Sequence, residues 1–146
     1  MTLTREEILL LPPGRKLDRW IQEHIFKWIP WAEQRGDYAT VVYQKPGERE
    51  PYMRTQRWEE AKKRHTIIPY SEIDFLLHAV YGDEDWSAEI SAAWRIVERL
   101  KTTMDVSVYT DGNGKYASEC GRWTVDDCNT APEAICKSAL LAVLNL

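Results

Sequence analysis

Three histidines, His24, His65 and His78, are the first residues to weigh for chemistry, because imidazole titrates near neutrality and is the commonest general base. None lies in an HExxH pattern or beside a nucleophile motif, so packing or surface roles are preferred and no catalytic residue is assigned. Cys120, Cys128 and Cys136 are spaced eight and eight apart. Paired zinc ligands sit closer, so no metal is expected, and an odd count of thiols reads as reduced cysteine. Cys136 falls early in a predicted helix, but its apolar neighbours make it a core residue. Asp111-Gly112-Asn113-Gly114-Lys115 has the look of a calcium loop until its fifth position, Lys115, and its twelfth, Arg122, place cations where ligands belong. It reads as a tight turn. The acidic run Asp83-Glu84-Asp85 suits a helix dipole and solubility better than magnesium. No cofactor is expected.

The richest stretch is the middle. From Lys45 to His65 eight basic side chains (seven Lys and Arg, with His65) stand against four Glu, although the whole chain of 146 residues carries a net charge of −4. Aromatic residues are interleaved with them. Read as an extended strand, Tyr52, Arg54, Gln56 and Trp58 share one face and Arg57 takes the other. A cation neutralises a phosphate and an aromatic ring stacks on a base, so this pattern suits a nucleotide. Tyr43, Tyr52, Arg54, Arg57, Trp58, Lys62, Arg64, His65, Tyr70 and Trp86 are the candidate ligand-binding residues. The plainer alternative is a solvated face neutralised by Glu48, Glu50, Glu59 and Glu60.

Seven tryptophans need placing too. Trp20, Trp28 and Trp94 lie among aliphatic residues at helical spacing and are expected in the core. Trp31, Trp58, Trp86 and Trp123 stand where loops, strand ends and basic residues meet, and could line a pocket or an interface.

These residues must be held by elements whose signals are local. Thr4-Arg5-Glu6-Glu7 is a capping box opening a helix to Leu11, which Pro12-Pro13-Gly14 stops. Leu17, Trp20, Ile21, Ile25 and Trp28 trace a second helix ended by Pro30. Tyr38–Tyr43 reads as a strand, with a turn at Lys45-Pro46-Gly47-Glu48 and a return strand over Tyr52–Trp58. Residues 58–65 are a helical turn or a loop, and Ser71 caps a short helix through Tyr81. Ser87 or Asp85 caps a helix with Ile90, Ala93, Trp94, Val97 and Leu100 on one stripe. Val106–Thr110 and Lys115–Val125 form a hairpin about Asp111-Gly112-Asn113-Gly114. Thr130-Ala131-Pro132-Glu133 is a second capping box, opening a helix to Leu144 with Ile135, Ala139, Leu140, Val143 and Leu144 available to the core. The fold expected is α+β: an antiparallel β-sheet flanked by helices on both faces, an α-β-α layered sandwich. One domain, 1–146, with a variable middle at 32–85, accounts for the length. No stretch could span a bilayer, and the acidic N-terminus lacks the features of a signal peptide. The mild acidity speaks against DNA binding through overall charge. A cytoplasmic protein is expected.

Several blocks stand out in order: Met1-Thr2 with Glu7-Ile8, then Leu11-Pro12, Gly14-Arg15 and Leu17-Asp18, followed by Trp28 and Pro30-Trp31. Pro69-Tyr70-Ser71 leads to Trp86-Ser87-Ala88-Glu89-Ile90-Ser91-Ala92-Ala93-Trp94 and Val97-Glu98, and the ending runs Thr130-Ala131-Pro132-Glu133-Ala134-Ile135-Cys136-Lys137-Ser138-Ala139-Leu140-Leu141. Together these blocks resemble the phage ABA sandwich domain family. The resemblance covers roughly 1–31 and 69–146, with residues 72–86 intervening where the family runs more directly. It implies an α-β-α domain of phage origin and no catalytic residue. By analogy with small phage proteins that blunt host defence, the expectation is a non-enzymatic, homo-oligomeric sponge for a small anionic ligand, such as a cyclic or ADP-ribose-type nucleotide, acting in the host bacterial cytoplasm. The alternatives are an enzyme that cleaves that ligand, with His65 or His24 in charge, and an inhibitor gripping a host protein through its exposed tryptophans.

Overall fold

The computed structural model describes residues 3–35, 38–49, 78–81 and 84–146. Its elements run α1 (Arg5–Leu10), α2 (Arg15–Trp20), a π-helical turn (Ile21–Ile25), β1 (Ile29–Arg35), β2 (Tyr38–Gln44), β3 (His78–Tyr81), α3 (Ile90–Leu100), β4 (Val106–Thr110), β5 (Tyr116–Cys120), β6 (Trp123–Cys128) and α4 (Ala131–Leu144). This is the mixed α+β class read from the sequence, and it is consistent with a sandwich. The strands form two three-stranded sheets among the described residues, ordered β1-β2-β3 and β4-β5-β6. The chain groups into two compact units, Met1–Ile25 with Glu84–Leu146, and Phe26–Asp83. The second unit nearly coincides with the middle that the sequence set apart at 32–85. Among the described residues no helix is long and apolar enough to cross a membrane.

In the first unit, α1 starts where its capping box predicts. Thr4 Oγ1 accepts the Glu7 amide at 3.2 Å, and Glu7 Oε2 accepts the Thr4 amide at 2.8 Å. These bonds hold the Glu7 carboxyl below its ordinary pKa. The Asp111 turn also forms as read, with Asp111 Oδ1 accepting the amides of Asn113 and Lys115 at 2.8 and 3.2 Å. The second arm of that hairpin is two strands, not one. Gly121, at φ 58°, turns the chain between β5 and β6, and its amide bonds to the Asp105 carbonyl at 2.8 Å. One face of the resulting sheet receives α4: Ser138 Oγ donates to Ser118 Oγ at 2.9 Å and lies 3.4 Å from Cys120 Sγ.

Helix α4 is the centre of this unit. Every residue from Pro132 to Ala142 is buried, and the helix touches α1, the π-helical turn, α3 and all three strands of its sheet. Thr130 caps it by accepting the Glu133 amide at 3.3 Å. The Glu133 carboxylate lies toward Lys137, 3.8 Å from Nζ, and Lys137 donates to the Leu9 carbonyl at 2.9 Å. A buried lysine thus satisfies a free carbonyl at the end of α1.

Several predicted boundaries move. The second helix becomes α2 and one π-helical turn, and Lys27, at φ 59°, breaks away from it. Pro30 and Trp31 then belong to β1, an edge strand among the described residues, where a missing amide is tolerated. β2 is therefore paired upstream, antiparallel to β1 (Ile29↔Gln44 through Arg35↔Tyr38), and parallel to β3 on its other side. His78–Tyr81 is a strand rather than the end of a helix, because pairing with β2 overrides weak local preference. The predicted return strand 52–58, the segment 58–65 and the start of the Ser71 helix lie outside the described residues. Helix α3 begins after Glu89, not at a Ser87 or Asp85 cap. Its buried stripe is Ala93, Ile96, Val97 and Leu100, while Ile90 and Trp94 are 54% and 51% exposed. Trp94 is thus a surface residue rather than core.

Truncating the two apolar positions should separate these roles. Leu140→Ala in α4 should cost about 2–5 kcal/mol in urea unfolding, whereas Trp94→Ser should cost less than about 1 kcal/mol.

Candidate ligand site

The β1–β2 register places the end of β2 against the residue preceding β1. Ile29 pairs with Gln44, so Trp28 and Lys45 are neighbours one step further along. Lys45 Nζ lies 4.8 Å from the Trp28 ring centroid. The Trp28 and Tyr43 rings are 6.1 Å apart and tilted by 55°, and Phe26 joins from 6.3 Å. Trp28 and Tyr43 are buried and Lys45 is exposed. Tyr43 therefore braces the cluster from within and presents no stacking face, which corrects its expected role. The Trp31 indole N–H donates to Gln44 Oε1 at 2.8 Å, and Gln44 Nε2 donates to the Glu48 carbonyl at 2.7 Å. The Lys45–Glu48 turn closes with the Glu48 amide on the Lys45 carbonyl at 3.1 Å. The result is an exposed ammonium beside a buried indole, at the point where the chain enters its basic, aromatic middle.

Of the predicted site residues, Tyr52, Arg54, Arg57, Trp58, Lys62, Arg64, His65 and Tyr70 lie outside the described residues. Trp86 belongs to the first unit and is fully buried. Its indole N–H donates to Gln22 Oε1 at 3.1 Å, and the Arg95 guanidinium lies 4.7 Å from its ring centroid. It is a packing residue rather than an open platform. Trp123 is half-buried beneath Arg122, whose Cζ lies 4.6 Å from its centroid and whose Nη2 donates to Asn145 Oδ1 at 3.2 Å. His24 is half-buried on the π-helical turn. Nothing local in the sequence pairs Lys45 with Trp28, because Pro30 resembles a helix end and Trp28 falls at helical spacing. The signal that could have found it is Ile29-Pro30-Trp31 itself, since a residue before proline favours extended backbone.

The cysteines are unsuited to catalysis. All three are unpaired thiols in buried positions. Burial raises the Cys120 and Cys136 pKa values, and burial together with Glu133 pushes Cys128 up to about 11. Among the described residues no group of three or more His, Cys, Asp and Glu side chains could hold a metal ion.

The phage ABA sandwich domain model matches residues 19–140. The chain belongs to the phage ABA sandwich domain family. That match runs through the middle of the chain, beyond the blocks at 1–31 and 69–146 that carry the resemblance. A crystal structure of a phage protein from Bacillus cereus ATCC 14579 is also similar, at 24% identity over 100% of this chain and 92% of that one, with a TM-score of 0.46. No curated protein matches the chain significantly.

The thiol environment of this family member sets a measurable outcome. At pH 8 a disulfide reagent should label the folded protein slowly, with Cys136 slowest. All three cysteines should react at once in denaturant, because only the thiolate attacks and burial keeps each sulfur protonated.

Proposed function

We propose that this phage ABA sandwich protein is a non-enzymatic binder of a small anionic ligand of the nucleotide class. It would hold that ligand rather than convert it, in the host cytoplasm and as a homo-oligomer, as a counter-defence sponge does. The observation that carries this reading is the ammonium of Lys45 set over the Trp28 ring at the start of a segment with eight basic side chains and four Glu. The exposed Lys45 cation suits a phosphate, and stacking on a base falls in this reading to the aromatic residues of that segment, since the Trp28 ring is itself buried. Tyr52, Arg54, Arg57, Trp58, Lys62, Arg64, His65 and Tyr70 supply the remaining contacts in this reading. The missing nucleophile and metal motifs in the sequence favour binding over cleavage.

A second reading, an inhibitor that grips a host protein, draws on a different observation. Trp94 and Ile90 stand exposed one helical turn apart on α3, and an exposed tryptophan is a common interface anchor.

Thermal unfolding with cyclic and ADP-ribose-type nucleotides tests the first reading. At least one should raise the melting temperature and be recovered intact after heat denaturation. Lys45→Ala, Arg54→Ala and Arg57→Ala should each weaken binding about tenfold or more, as loss of a charged contact does. A chemically altered ligand would indicate an enzyme. No stabilisation by any nucleotide would leave the protein-binding reading in its place.

A further inference from the structure

Residues Asp85–Ala88 form a turn that belongs to neither a helix nor a strand, yet it is tied down as firmly as either. The Glu84 amide donates to Gln22 Oε1 at 3.0 Å, and the Trp86 indole N–H donates to the same oxygen at 3.1 Å. The Ser87 amide donates to Asp18 Oδ1 at 2.6 Å, and Ser87 Oγ accepts the Gly14 amide at 2.8 Å. Asp18, Gln22, Trp86 and Ser87 are all buried. Arg95 covers the Trp86 ring from α3 and forms an ion pair with Glu84.

The place of these contacts in the chain gives them their meaning. The chain leaves the first unit after Ile25 and re-enters it at Glu84. Gln22 stands one turn before the exit, and its carbonyl oxygen meets the first amide after the return. An insertion is compatible with a host fold when its two ends lie close together and are held there. Buried acceptors that serve otherwise unmatched amides do this strongly, because their loss strands buried donors.

We propose that Asp18 and Gln22 form a clasp that closes the first unit at the base of the 26–83 insert. The fold of that unit then does not depend on an unbroken chain through the insert. This inference is independent of any ligand reading.

The test cuts the full chain. A site-specific protease sequence is inserted after Gly47, in the exposed Lys45–Glu48 turn, and the chain is cleaved there. The two pieces should co-elute in size exclusion and keep a cooperative unfolding transition. Gln22→Leu, folded before cleavage, should let the cut pieces separate about tenfold or more readily than the cut parent. Should Gln22→Leu fail to fold uncut, Asp18→Ala, which removes the acceptor for the Ser87 amide, is read in the same way. Loss of the transition on cutting the parent chain would overturn the proposal. So would a cut variant that holds together as well as the cut parent.

Discussion

A helix that is apolar nearly all the way round cannot sit at a surface, and α4 imposes that constraint on the first unit. From Pro132 to Ala142 every residue is buried, so protein must cover the helix on all sides. The β4-β5-β6 sheet takes one side, and α1, the π-helical turn and α3 take the others. Three polar side chains come inside with it. Ser138 bonds to Ser118, Lys137 to the Leu9 carbonyl, and Glu133 faces Lys137. Each bond also fixes a neighbour: Ser118 registers β5, and Leu9 anchors the end of α1. The helix thus locates its surroundings as well as filling the space among them.

A unit built round a central helix can have its chain interrupted between outer elements if the interruption is closed locally. The break falls between the π-helical turn and Glu84, and Gln22 and Asp18 bridge it with hydrogen bonds. The π-helical turn and the left-handed Lys27 that follows show how the chain is redirected there. Both features concentrate where helical geometry must be abandoned, and neither has a strong local sequence signal.

The legible parts of the fold were those whose cause is local. Thr4 and Thr130 cap the helices they precede, and the Asp111 turn folds on its own side chain, because each is decided within four residues. The candidate site was legible only as composition. The excess of Lys, Arg, Tyr and Trp in the middle is a fact of sequence, but which ring meets which cation depends on strand pairing. Trp28 meets Lys45 because β1 exists, and β1 was hidden behind a proline that resembled a helix stop. Trp86 failed as a site residue for a similar reason: its neighbours are polar in sequence, but its partners are Gln22 and Arg95.

The sequence by itself determined the α+β class, the starts of α1 and α4, the tight turn and the family blocks, because capping, turn chemistry and periodicity act over a few residues. Only the tertiary structure decided that α4 is enclosed, that Trp94 faces outward while Ile96 faces inward, and that β2 pairs with an upstream strand. It also decided that Gln22 reaches across the insert to Glu84. Burial and long-range pairing depend on what the rest of the chain places nearby, and no short window of sequence contains that information.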